Sequence, residues 1–422
     1  MAEALISADN HIDLTYCPAD LWSSAAPAKW KDAAPRTELR DDGLHWVVDG
    51  DDKGMWNGVG PGFLKYNKGS FAHVDEMKEA GFEWNYFPGA KPRPTTPELR
   101  IADLDREGVK AEMVYGCLMI NHMIADRALR GWCDQIYNDW VADFAKRADP
   151  NRVFPLAIVP NHDPKEAAAE VRRCAKMGIR GGDLAFKHMV VPLWHHDWYA
   201  LWEASAECNF PISFHSTGFQ GTRAPNSPEM EKEYFTQYRL VRSALFQTDT
   251  MEVLVSLLAS GACEKYRDFK FVLGESGVTW LPYVFDRLDT EYYDRATSLG
   301  FKMAPSDYFR RQGYVTYQQD KFLEPIIPLV GEDNIMWGSD YPHPDCLWPE
   351  SGPILDQNLA ALSPSVRAML PTRRAFPKRK VSTGRFSGRA LRSSIRSAAT
   401  SSAMSQFILE MRRLIAKGMS HG

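Results

Sequence analysis

Five side chains in this 422-residue chain have the types and positions needed to hold a divalent cation and move a proton: Asp9, His11, His215, Glu275 and Asp340. Each stands where a short apolar run stops. Asp9 and His11 flank Asn10, and in an extended backbone alternate side chains share a face, so both point the same way. Carboxylate and imidazole donors suit one divalent ion, Zn²⁺ first and Mn²⁺ second, and the seven cysteines form no CxxC pair that would indicate a closed thiolate zinc site. A cation held this way lowers the pKa of bound water and polarises a carbonyl. Asp340 can then take a proton during attack and return it to the leaving group, with Glu275 as a second candidate for ligand or base. The expected activity is a metal-dependent hydrolase acting on a small carbonyl compound. Nonoxidative decarboxylation, with Asp340 protonating the ring carbon as CO₂ leaves, is the alternative, and a noncatalytic barrel is the third reading. Plainer roles stand beside these: a lone strand-end histidine is more often a structural hydrogen-bonding group, and Glu275 can instead hold a neighbouring histidine or Arg287.

The elements that would position these residues alternate regularly. Apolar runs at Ala4–Ser7, Ala111–Tyr115, Val153–Val159, Gly182–Phe186, Pro211–His215, Lys270–Gly274, Tyr314–Tyr317 and Ile335–Gly338 read as eight strands. Helical signals lie between them. Thr96 as N-cap, Pro97 at the first helical position and Gly108 just past the end bracket one helix, and Asp163-Pro-Lys-Glu166 reads as a capping box for another that Gly178 closes. Eight βα units without a GxGxxG after the first strand predict a (β/α)8 TIM barrel rather than a doubly wound sheet. Residues 16–95 form a loop-rich insertion after strand one, with a hairpin at Leu44–Val48 and Asp49-Gly50, and Trp46 and Trp56 packing as a satellite core. His343, in Tyr341-Pro-His-Pro344, and His188, on the loop after strand four, are candidates for substrate contact, with turn capping as the other role for His343. His195-His196-Asp197 reads as a helix start with Asp197 as N-cap more readily than as a second metal cluster. Arg223, Arg239 and Arg242 on the 216–250 loop can hold an acidic group or serve as surface charges.

The sequence resembles the amidohydrolase-related group of metal-dependent TIM-barrel enzymes, which includes aminocarboxymuconate-semialdehyde and dihydroxybenzoate decarboxylases. The resemblance rests on Ile335-Met-Trp-Gly-Ser-Asp-Tyr-Pro-His343 followed by Trp348-Pro-Glu-Ser351, on Leu99–Val109 and on Pro211–His215. It implies that Asp9-Asn-His11 is the acidic version of the family's first-strand ligand pair. It also makes His215 the strand-five ligand and Asp340 both ligand and proton carrier. The strand-six position, a histidine in the decarboxylases, is Glu275 here, and a carboxyl group cannot act as a cationic acid. A second departure follows Leu370, where Pro371-Thr-Arg-Arg-Ala-Phe-Pro377 stands in place of the family's closing helix and suggests a reading-frame change.

Composition sets outer bounds. The formal charge of −4 excludes a strong nucleic-acid field, and no uncharged apolar run reaches the ~18 residues a membrane span needs. The start lacks the basic and apolar regions of a secretory signal, so a cytoplasmic protein with a small-molecule substrate is expected, with a homo-oligomer compatible. Residues 371–422 hold 12 Lys/Arg against one acid, which leaves a net −15 on the first 370. Two regions are expected: a barrel over 1–370, and a basic, serine-rich, mostly disordered tail over 371–422.

Overall fold

The computed structural model describes residues 5–56, 58, 72–80, 96–118, 120–216, 227–360 and 362–364. The expected tail 371–422, the altered ending after Leu370 and Arg223 lie outside these. Eight strand positions follow in order: β1 (Leu5–His11), β2 (Val109–Tyr115), β3 in two segments (Val153–Pro155 and Ala157–Val159), β4 (Gly182–Leu184), β5 (Ile212–His215), β6 (Phe271–Gly274), β7 (Gly313–Tyr317) and β8 (Ile335–Trp337). Every neighbouring pair is parallel, from β1–β2–β3 through β3–β4–β5–β6–β7–β8. The ring closes where Asn10 bridges Tyr341, with His11 N donating to Tyr341 O at 2.7 Å and Asp340 N donating to Asp9 O at 2.8 Å. This is the expected TIM barrel. Its first strand runs further than its apolar residues do, so Asp9, Asn10 and His11 belong to the strand rather than to a loop beyond it.

Helices connect the strands: α1 (Pro97–Glu107), α2 (Arg127–Ala148), α3 (Pro164–Met177), α4 (Tyr199–Cys208), α5 (Thr248–Ala259), α6 (Leu281–Glu291), α7 (Leu323–Val330) and α8 (Ser351–Ala360). Their boundaries follow local chemistry. Thr96 Oγ1 accepts from Leu99 N at 3.2 Å, and Gly108 ends α1 at φ 70°, a left-handed conformation that costs glycine nothing. Asp163 caps α3 by accepting from Lys165 N and Glu166 N, but the reciprocal half of a capping box is absent because Glu166 turns to His162 Nε2 at 2.9 Å.

Two apolar layers fill the structure. Ala8, Met113, Phe154, Val272, Tyr314 and Met336 project into the barrel and pack together, blocking its interior. The second layer lies between strands and helices. The insertion joins that layer: Arg36–Arg40, Gly43–Val48 and Asp51–Met55 form an antiparallel sheet, and Trp46 and Trp56 are buried with Trp22 in the main core. They do not form the separate satellite core expected from the sequence. Six of the seven cysteines are buried and all are free.

A polar network locks β1 in place. Arg100 of α1, fully buried, donates to Glu112 of β2 at 2.6 and 2.7 Å and to the His11 carbonyl at 2.7 Å. Glu112 also accepts from Asn10 Nδ2 at 2.6 Å, and Asn10 Oδ1 accepts from Ser7 Oγ, Ser339 Oγ and Tyr341 N. The motif at 99–109 thus serves to hold strand one against strand eight. Gly338 is required at the same seam, since a Cβ there would lie 2.3 Å from that of Asp9. Removing one partner of a buried pair leaves the other charge uncompensated, so Arg100→Met should cost about 3–5 kcal/mol in urea unfolding. Adding Glu112→Gln should recover a large part of the loss, because the amide needs no counter-charge and still accepts from Asn10. If the single variant is as stable as the parent, the network does not hold the seam.

Candidate metal centre

The strand ends bring Asp9, His11, His215 and Asp340 together, with one ligand atom of each lying within 4.8 Å of the others. His11 Nε2 is 3.0 Å from Asp340 Oδ1 and 3.5 Å from Asp9 Oδ1, and His215 Nε2 is 3.3 Å from Asp9 Oδ1. All four residues are buried, and Asp9 Oδ1, His11 Nε2, His215 Nε2 and Asp340 Oδ1 make no hydrogen bond. Buried polar atoms are nearly always paired, so four orphaned donors facing one point fit a cation. Two carboxylates, two imidazoles and no thiolate suit a single Zn²⁺ or Mn²⁺.

Backbone and outer side chains aim each ligand. Asp9 Oδ2 accepts from Thr316 Oγ1 at 2.8 Å and from Glu275 N at 2.7 Å, which leaves Oδ1 for the centre. Glu275 and Asp340 both sit at positive φ, 46° and 63°, a conformation costly for residues with a Cβ and common where a site holds strain. His215 Nδ1 donates to the Ser216 carbonyl at 2.8 Å, an assignment that leaves Nε2 facing Asp9. Gly274 makes room for His215, as a Cβ there would stand 3.0 Å from its ring and 2.8 Å from the Tyr115 hydroxyl.

Charge is concentrated here. Burial disfavours the Asp9 carboxylate, yet His215 and His11 outweigh it and hold the carboxyl far below its usual range. Burial likewise opposes charge on His215, but Asp9 and then Glu275 raise its pKa to about 10 in the metal-free protein. Asp340 is held at about 2, with His343 and His11 overcoming its burial. A cation must therefore compete with a proton on His215, so its affinity should rise with pH.

His343 stacks on His11 with ring centroids 3.9 Å apart; its Nε2 meets Asp13 Oδ2 at 2.6 Å and its Nδ1 lies 3.0 Å from Asp340 Oδ1. Burial opposes charge on this ring, but Asp340 and Asp13 raise its pKa well above the ordinary value. Glu275 lies outside the four-residue group, with Oε2 3.7 Å from His215 Nε2, while Arg287 pairs with Glu291 instead. Burial and Asp340 push the Glu275 carboxyl well above the usual range. The four ligands, Asp13, Glu275 and His343 line a cavity of about 730 Å³ at the barrel mouth, with Trp280, Phe246 and Arg242 in its wall. His122 lines it too, whereas His188 is not among the lining residues and meets the His122 ring edge-on at 5.3 Å. His195, His196 and Asp197 lie on the surface. Their imidazoles stack at 4.3 Å rather than diverging, and His195, not Asp197, caps the short turn there.

Two site residues escaped the sequence reading. Asp13 continues the alternation of Asp9 and His11, a signal that was available. Asp183 is a charged residue inside the short apolar strand β4; it is fully buried against the cavity, and both of its oxygens lack a hydrogen bond. Burial pushes its carboxyl up to about 7.

The Amidohydrolase family model matches residues 35–370. The chain belongs to this family. The match begins after β1, so the placement of Asp9 and His11 rests on geometry. A gamma-resorcylate decarboxylase of Polaromonas sp. (strain JS666 / ATCC BAA-500) is 24% identical over 258 residues, covering 58% of this chain and 76% of that protein. An amidohydrolase structure from Mycobacterium avium subsp. paratuberculosis K-10 matches with TM-score 0.66 and 17% identity, over 88% of this chain and 96% of that one. A dihydroxybenzoic acid decarboxylase from Polaromonas sp. JS666, solved with manganese and 2-nitroresorcinol, matches with TM-score 0.53 and 19% identity, over 87% and 94%. At these identities the structural likeness establishes the barrel. Among the described residues no helix is long and apolar enough to cross a membrane.

His11→Ala should weaken Mn²⁺ or Zn²⁺ binding at least 100-fold, more than the roughly 10–100-fold typical of losing a group that only hydrogen-bonds to a ligand. Metal titration followed by calorimetry tests this, and full stoichiometry with unchanged affinity in the variant would place the ion elsewhere.

Proposed function

We propose that the chain is a metal-dependent, nonoxidative decarboxylase of a hydroxylated aromatic acid, with one divalent ion held by Asp9, His11, His215 and Asp340. The convergence of four buried, unpartnered ligand atoms carries the reading, since it accounts for a charge cluster that packing alone would disfavour. Sequence relatives that are decarboxylases support the lyase over the hydrolase first expected from the ligand types alone. The complete donor set weighs against a noncatalytic barrel.

A divalent ion bound there would stabilise negative charge on the oxygens of the acid. The protein's own groups handle the proton. In the step proposed, the bond to the carboxylate breaks with its electron pair left on the ring carbon. Asp340, ionised at rest, takes a proton from the neighbouring imidazole and delivers it to the new C–H bond, and CO₂ departs. His343 Nδ1, 3.0 Å from Asp340 Oδ1, lies within proton-transfer distance and supplies that proton, while Asp13 holds the far side of the imidazole. Glu275 faces the cavity with its carboxyl pushed well above the usual range by burial and by Asp340, which favours its hydrogen-bond-donating form. Trp280 and Phe246 give the cavity the aromatic walls that a ring requires.

The decisive assay offers hydroxybenzoates, lactones and amides to the manganese- or zinc-loaded protein and measures CO₂ and hydrolysis products separately. CO₂ release is expected; hydrolysis without it would restore the hydrolase. Asp340→Asn should keep most of the metal, because the amide oxygen still coordinates, while turnover falls about 10²–10⁴-fold with the loss of the proton carrier. Parent-like turnover in that variant would remove Asp340 from the chemistry.

A further inference from the structure

The cavity is acidic over its floor, yet one wall carries a cation with no counter-charge. Arg242 stands in the last turn of the helix Phe235–Leu245, on the segment between β5 and α5, and lines the same cavity as the metal ligands. Among the described residues it makes no ion pair and no hydrogen bond, although Glu275, Asp320 and Asp345 line the cavity with it. Its cationic neighbour is already matched: Lys187, just beyond β4, pairs with Asp249 at 3.3 Å. Burial depresses the Lys187 pKa, Asp249 opposes that shift, and Arg242 is close enough to add a smaller repulsion. Asp249 is thus engaged by Lys187, and of these two cations only Arg242 lines the cavity. His122, which also lines the cavity, has its pKa drawn down to about 4 by desolvation and by the neighbouring His188 and Lys187.

A partly buried guanidinium without a protein partner gains most from a ligand oxyanion, which it can grip with two parallel hydrogen bonds. We infer that Arg242 is a specificity-determining residue that recognises a second anionic group on the substrate, so that the acid taken by this site is a dianion. One acidic group would rest over the strand ends and the other, of carboxylate type, against the wall after β5. The cavity of about 730 Å³ has room for a ring bearing both. The inference rests on the aromatic-acid reading for its ring, but it concerns binding and not the fate of the bound acid.

Its test therefore reads binding alone. Benzene-1,3-dicarboxylate and benzoate are titrated calorimetrically into the manganese-loaded parent, Arg242→Gln and Arg242→Lys proteins, each checked for metal content. The parent should prefer the dicarboxylate by about tenfold or more, the scale of one charge-assisted hydrogen-bonding pair. Arg242→Gln should abolish that preference, and Arg242→Lys, keeping the charge without the fork, should restore part of it. No preference in the parent, or the same preference in Arg242→Gln, overturns the inference. Absence of CO₂ release from any acid would defeat the decarboxylase reading while leaving this affinity ratio as it stands.

Discussion

Two carboxylates and two imidazoles share a buried space a few ångströms across, each presenting an atom that makes no hydrogen bond. Such an arrangement is costly to bury, because burial removes the water that would otherwise satisfy each ligand atom. The surrounding structure is organised to keep these groups in place. Thr316 and the Glu275 amide tie up one oxygen of Asp9, and the Ser216 carbonyl fixes one nitrogen of His215. Asp340 is set by a left-handed turn whose amide donates back to Asp9. Each device fixes the direction of a ligand without consuming the atom that faces the centre, the usual logic of outer groups around a metal.

Those devices come from strands far apart in the chain, so they depend on closure of the barrel between its first and last strands. A closed ring of parallel strands has no other place where residues 9 and 340 can meet. The seam is polar rather than apolar: Ser7, Asn10, Ser339 and the Arg100–Glu112 pair are all buried there. An apolar seam of similar volume would be at least as stable in many proteins. A polar one defines register, because a shift by one residue would strand every donor and turn Asp9 and His11 away from the centre.

The fold was legible because each buried strand leaves a short apolar run and each helix end leaves a cap, as at Thr96, Pro97 and Gly108. Asp9, His11, His215 and Asp340 were legible for the same reason: they stand where those runs stop, and alternation gives the first pair its shared direction. What local pattern did not carry was partnership across the barrel. Glu166 looked like a capping residue until His162 proved to be its neighbour, and nothing near Glu275 in the chain shows that its amide, more than its side chain, positions Asp9. Asp13 shares the alternation of Asp9 and His11, but its role depends on His343, 330 residues away. Trp46 and Trp56 announced burial without announcing which core would receive them.

The exchange at strand six bears on how the proton is handled. Where the resembling decarboxylases carry an imidazole, this chain has Glu275, whose carboxyl burial and the nearby Asp340 push well above the usual range. An imidazole still faces the centre, but it arrives from the loop after β8, stacked on His11 and flanked by Asp13 and Asp340. A carboxylate on each side favours the cationic ring, which makes it a donor and not an acceptor. Hydrolysis asks one group to take a proton from water and later surrender it, whereas decarboxylation asks only for net delivery of a proton to carbon. An imidazole biased toward its charged form beside Asp340 suits delivery. On the proposed reading, an imidazole after β8 takes the place of the strand-six histidine as proton source, which makes the departure from the family pattern compatible with the lyase.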